Sequence, residues 1–199
     1  MAINLPNADF TSSSFVLMFN TQTYGNGTTN QVQRKSTTGA KWVATYQLAP
    51  QKRATYADWQ AFFALLQGRL NTFNGYDPNG VTARGIATGT PIVKGASQTG
   101  NTLITDGWTI NQTGIMKKGD YFSVNNELKM ITADSNSDGS GDSTLTFEPP
   151  LRNSPADNAP LTVSTASCEM ILLTDQVNFQ VNKSMVSSPI VIQAVEVFS

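Results

Sequence analysis

The chain contains no histidine and a single cysteine, Cys168, among its 199 residues. The first absence removes Ser-His and Cys-His nucleophilic pairs, histidine-ligated metals and the commonest general base near neutral pH. The second rules out an intrachain disulfide and any paired-cysteine metal or redox motif. Cys168 lies beside an apolar run in "SCEMILL" and reads as a small buried residue, and such sparing cysteine use suits folding in a reducing cytosol. Charge is scarce too: 14% of residues are charged, against about 25% in an average soluble domain, and Ser, Thr, Asn and Gln take their place. With a net charge of −1 and no Lys/Arg run longer than two, there is no basic footprint for nucleic acid or an anionic membrane. The longest apolar runs, "FVLMF" and "AFFALL", are too short to cross a bilayer. The N-terminal "MAINLPNADF" lacks the basic and apolar regions of a signal peptide. A soluble protein is expected.

Catalytic motifs are missing as well. The chain has no S-x-x-K, G-x-S-x-G, phosphate-binding Walker loop or G-x-G-x-x-G. Two carboxylates can hydrolyse a glycoside without histidine, but the spacing of the 14 acids singles out no such pair. No catalytic, cofactor-binding or metal-binding residue is therefore assigned, and the chain is not expected to be an enzyme.

One stretch imitates a metal loop. "ADSNSDGSGD" places Asp134, Asn136, Asp138, Gly139 and Asp142 at the first, third, fifth, sixth and ninth positions of a calcium-loop pattern. The twelfth position, which must supply a bidentate carboxylate, is Leu145, and the flanking segments read as strands instead of helices. Glu148, the nearest closing acid, falls past the end of the hairpin. The stretch is expected to be a solvated turn held by short Asp, Asn and Ser side chains. Trp108 and Tyr121 are the two aromatics that could form a sugar platform in this region, and both are expected in core or interface.

The pattern of elements is mostly β. "SFVLMFN" (14–20) reads as a buried strand followed by a "TYGNGTTN" loop. "KWVATYQLAP" alternates, with Trp42, Ala44, Tyr46 and Leu48 on one face, until Pro50 stops it. One helix is expected at about 55–67, capped by Thr55 with Asp58, carrying Tyr56, Trp59, Phe62, Phe63 and Leu66 on its core stripe, and ended by Gly68. Asp77-Pro78-Asn79-Gly80 reads as a turn. From about residue 91, "NTLIT", "GDYFSV", "ELKMITA", "STLTFEP" and "PLTVS" form closely spaced short strands, with Asn125-Asn126 as a primed hairpin turn. Val177, Phe179 and Val181 then alternate with Asn178, Gln180 and Asn182, and "PIVIQAVEVF" reads as a central strand. The expected architecture is a β-sandwich body with one helix, from residues 1–90 and 165–199, and a small β-barrel inserted at 91–164.

Two stretches carry a family resemblance. One is "KWVATYQLAPQKRATYADWQAFFALLQGRLNTFNGYDP", with L-x-G-R-x-N-x-F after the aromatic helix. The other runs from "GWTINQTG" through "KKGDYFSV" and "DGSGDSTLTFEPPLR" to "SPADNAP". Together they resemble the distal tail proteins of long-tailed bacteriophages, over most of residues 40–164. The resemblance implies a structural virion protein at the tail tip, assembled in the host cytoplasm. It implies self-association into a ring, typically a hexamer, between the tail tube protein and the tail-tip hub protein, with the tape measure protein as a further neighbour. The ring would line the DNA exit channel, with no cofactor, sequence-specific nucleic acid contact or membrane insertion. Other tail or head–tail junction ring components, and a carbohydrate- or calcium-binding β-module, are the alternatives. Many members of that family carry a C-terminal galectin-like sandwich, whereas this chain inserts a shorter barrel, so host-sugar binding is not carried over. Abundant Thr, Asn and Gln would suit subunit contacts, because burying them costs less than burying charges.

Overall fold

The computed structural model describes residues 3–6, 10–25, 27–28, 31–181 and 186–198. The fold is mostly β with a single α-helix among the described residues, as the sequence pattern predicts. The body is a six-stranded sheet built from β1 (Ile3–Asn4), β2 (Phe10–Gly25), β3 (Val32–Leu48), β4 (Phe73–Gly75), β10 (Cys168–Leu172) and β11 (Ile190–Glu196). Its order is β1-β4-β10-β11-β3-β2, and every pairing is antiparallel except β1–β4. Period-two alternation sets the faces. Trp42, Ala44, Tyr46 and Leu48 of β3 point inward with Ile190, Ile192 and Ala194 of β11, and Val43, Thr45 and Gln47 point out. β11 lies between β10 and β3, the central place its two-faced apolar run predicts.

The helix α1 (Arg53–Leu66) covers the inner face with its Tyr56, Trp59, Phe62, Phe63 and Leu66 stripe. Edge-on aromatic contacts knit it to the sheet, Phe62–Phe73 at 5.6 Å and Phe10–Trp59 at 6.4 Å between ring centroids, and Trp59–Phe62 at 5.5 Å joins the stripe within the helix. It starts two residues earlier than Thr55. Lys52 occupies the cap position without a side-chain bond, because the bridge between Lys52 and Val186 and the Gln51 N to Ser187 Oγ bond (2.9 Å) pin the chain up to that point. At the other end Gln67 is already left-handed (φ 51°) and Gly68 follows at φ 70°. A Cβ on Gly68 would stand 2.8 Å from the Asp175 carboxylate, so the glycine is needed for space as well as for conformation. Asp77 accepts from Asn79 N at 2.9 Å, and the expected turn is a 3₁₀ turn, Pro78–Gly80.

The inserted segment forms a second sheet from β5 (Gly89–Val93), β6 (Gly100–Trp108), β7 (Tyr121–Val124), β8 (Glu127–Ala133) and β9 (Ser143–Leu151), in the order β5-β6-β9-β8-β7. Residues 158–162 close it. Their backbone bonds Val93 and Pro91 of β5 on one side and Ser123 of β7 on the other, at 2.8–3.0 Å, so "PLTVS" is a closing stave with isolated bridges instead of a full strand. Through this stave the bridges tie together the two edge strands of the curled sheet. Its interior holds Val93, Leu103, Trp108, Ile115, Met116, Phe122, Ile131, Leu145 and Phe147. Asn125 and Asn126 both have positive φ (51° and 61°), the geometry of the primed turn expected between β7 and β8. The β7–β8 hairpin also touches the body core through Leu128, Tyr121 and Met130.

Further sequence expectations need correction. Residues 14–20, expected as a buried strand, lie in β2 with none of them buried. β5 was not among the expected strands; it contains Pro91, and a register shift between Gly89 and Ile92 lets the ladder skip the missing N–H. Residues 177–181 form no ladder beyond the Val181–Ser187 bridge; Phe179 instead packs edge-on against Tyr56 (5.7 Å) and Phe63 (5.6 Å), and Asn182 lies outside the described residues. The loop expected at 23–30 is shorter: Thr23, Tyr24 and Gly25 belong to β2, β3 starts already at Val32, and Asn26, Thr29 and Asn30 lie outside the described residues.

Candidate functional site

β2 and β3 are 16 and 17 residues long, far longer than the body sheet needs. Only residues 43–48 of β3 also pair with β11. Beyond them the two strands continue alone as a ribbon, from the Asn20–Thr37 pair to the Gly25–Val32 pair. A register shift between Met18 and Asn20, with Gly39 at φ 114° opposite it, re-aims the ribbon where it leaves the sheet. Past the shift, residues 20–25 and 31–36 are all exposed, so both faces meet solvent. Among the described residues, neither outer edge of this distal half pairs with another strand. Phe19, Tyr24 and Val32 stand 55%, 57% and 59% exposed along it.

The outer face of the body sheet is also open. Val16, Val43, Val195 and Ile171 are cross-strand neighbours on β2, β3, β11 and β10 and form one apolar row. Polar rows flank it, Ser14–Thr45–Gln193 and Ser12–Gln47 with Val191. Val16 and Val191 are more than half exposed. Between the ribbon root and the barrel runs a groove of about 690 Å³ lined by Phe19, Gly39, Pro149, Arg152 and Phe198, among others.

One ion pair fastens barrel to body, and a second lies within β8. Arg152, just past β9, pairs with Glu196 of β11 at 2.7 Å and lies 3.9 Å over the Phe198 ring. The other Glu196 oxygen accepts from Trp42 N (2.9 Å), while Trp42 Nε1 donates to Leu128 O (3.0 Å). Glu127 and Lys129, both nearly inaccessible, pair at 2.7 Å. Burial pushes the Glu127 carboxyl up, but Lys129 and the backbone N–H groups of Arg152 and Asn153 outweigh it and hold it below the ordinary value. Burial lowers Lys129, against the pull of Glu127. On the opposite side Asp120 accepts from the backbone N–H groups of Arg84, Gly85 and Lys117 at 2.8–3.0 Å.

The calcium-like stretch is scattered by these local demands. Asp134 accepts from Lys118 N (2.9 Å), Asn136 from Gly114 N (2.7 Å), and Asp142 pairs with Lys94. Asp138 accepts from Ser140 N (2.8 Å) and Asp142 N (2.9 Å), and these donors, Asp142 N foremost, lower its pKa. Leu145 is barrel core, and Glu148, expected past the end of the hairpin, lies within it on β9 opposite Met130 and lines the groove at the ribbon root. Among the described residues no three of His, Cys, Asp and Glu gather closely enough to hold a metal ion. Trp108 is buried and donates to Thr105 Oγ1 (2.8 Å); Tyr121 is half-buried, edge-on to Trp42 at 5.6 Å. Cys168 is in the body core, where burial pushes its thiol up.

Sequence reasoning missed the ribbon. Its Thr, Gln and Asn residues alternate between two solvent faces, so no apolar period marks the strands. No protein-family model matches the chain, and no curated protein matches it by sequence. Among the described residues no helix is long and apolar enough to cross a membrane.

Proposed function

We propose that this chain is a structural virion protein: a subunit of the ring at the distal end of a long-tailed bacteriophage tail, joining the tail tube to the tail-tip hub around the DNA exit channel. The observation that carries the proposal is the ribbon, whose distal half keeps both faces and both edges in solvent. A lone two-stranded ribbon is marginal in water and gains stability when another surface covers it. Supporting it are the open apolar row across four strands of the body sheet and the sequence resemblance of residues 40–164. The Arg152–Glu196 pair fastens barrel to body and the Glu127–Lys129 pair is held within β8, both structural uses of buried charge. Assembly in a ring would cover the ribbon and the row together.

The test is to incubate the purified protein with isolated tail tubes and image them by electron microscopy. A ring with a central hole capping one tube end supports the proposal. Bare tube ends, with the protein remaining free at 21.4 kDa, overturn it.

A further inference from the structure

We propose that the distal half of the ribbon is an intersubunit arm that seats on the aspartate-rich end of the barrel of the next copy of this chain. The inference rests on the ring reading and adds which two surfaces meet. Residues 10–57 contain Arg34, Lys35, Lys41, Lys52 and Arg53 and no acid, and Arg34 and Lys35 stand exposed on the arm. Cations on an open strand edge discourage pairing with a like edge, so arm against arm is disfavoured and an acidic partner is preferred. The barrel supplies one. Residues 89–164 hold eight carboxylates against five cations. At one end Asp142 pairs with Lys94, Asp106 and Asp138 act on the same ammonium, and Asp157 accepts from Gly95 N (2.7 Å). Three carboxylates act on this lysine and a fourth holds the next residue's N–H, which leaves that end negative.

Arm and barrel end are different surfaces, so the contact is head-to-tail, and such contacts close into rings when the rotation allows. The polar Thr and Gln side chains and free N–H and C=O groups of the arm would supply hydrogen bonds, while the charges set register and speed encounter.

The test mixes equal amounts of normal and ¹⁵N-labelled protein, lets rings form, and joins touching amine–carboxylate pairs with a zero-length carbodiimide reagent before mass spectrometry. Mixed-isotope peptides linking Lys35 to Asp106, Asp138, Asp142 or Asp157 are expected. R34E/K35E is expected to weaken assembly at least tenfold at low salt with an unchanged melting curve at monomer concentrations, both side chains being exposed. Rings that form without mixed-isotope Lys35 links, or that R34E/K35E forms as well as the wild type, overturn the arm contact and leave the ring reading standing. A wild-type chain that remains monomeric even with tail tubes present, with no mixed-isotope links, overturns both.

Discussion

Replacing Arg152 by Met tests how barrel and body are joined. Glu196 is 1% exposed and divides its two oxygens between the Arg152 guanidinium and Trp42 N. Methionine fills similar space but leaves a buried carboxylate with one backbone donor. Stripping one partner from a fully buried pair costs about 3–5 kcal/mol. Because the Arg152 side chain is 21% exposed, water can take up part of the loss, and about 2–4 kcal/mol is expected. Glu196→Gln keeps an acceptor for Trp42 N and sheds the charge, at about 1–2 kcal/mol. The double variant should cost about 1–2 kcal/mol less than the sum, since the second change removes the charge that the first one strands. Urea unfolding at fixed protein concentration reads these values. With a slope of about 2 kcal/mol per molar urea, Arg152→Met should lower the midpoint by about 1–2 M. A loss under about 0.5 kcal/mol, or strictly additive single and double variants, would refute the claim that this pair is buried and coupled.

Three further outcomes are expected. Trp59→Ala empties the centre of the aromatic layer between α1 and the sheet, so it should cost about 3–5 kcal/mol, read as a drop in thermal midpoint. Glu127 is held below the ordinary glutamate value of 4.5, so the unfolded chain takes up that proton first as pH falls. Its stabilisation is complete above 4.5 and drains away as pH falls through its folded pKa, and Glu127→Gln should flatten that part of the urea midpoint–pH curve. Asp138→Ala should lower the melting temperature by releasing Ser140 N and Asp142 N. Asp138→Asn, which keeps an acceptor oxygen, should stay nearer the wild type. Added calcium should leave all three proteins unchanged, and a calcium-dependent rise in the wild type alone would contradict the turn assignment.

What the sequence discloses depends on whether burial imposes a period. β3 is legible over Trp42–Leu48 because one face packs on α1, and the same strand is silent over 32–36, where both faces are exposed. The aromatic stripe of α1 is plain, while its start is hidden, because a bridge from distant Val186 and a bond from Ser187, not a cap residue, hold the chain there. The Asn125-Asn126 turn follows from local chemistry, but closure of the barrel by residues 158–162 depends on β5 and β7 lying on either side, which no local pattern reports. The junction ions were equally hidden: Arg152 and Glu196 are 44 positions apart and meet only once the barrel docks.

The central claim is assembly, and the mass of the purified protein in solution tests it most directly. Light scattering across a concentration series should give a closed multiple of 21.4 kDa, six copies by the family resemblance, with a discrete species instead of a continuous drift. A constant 21.4 kDa at every concentration, unchanged by adding tail tubes, would contradict the account.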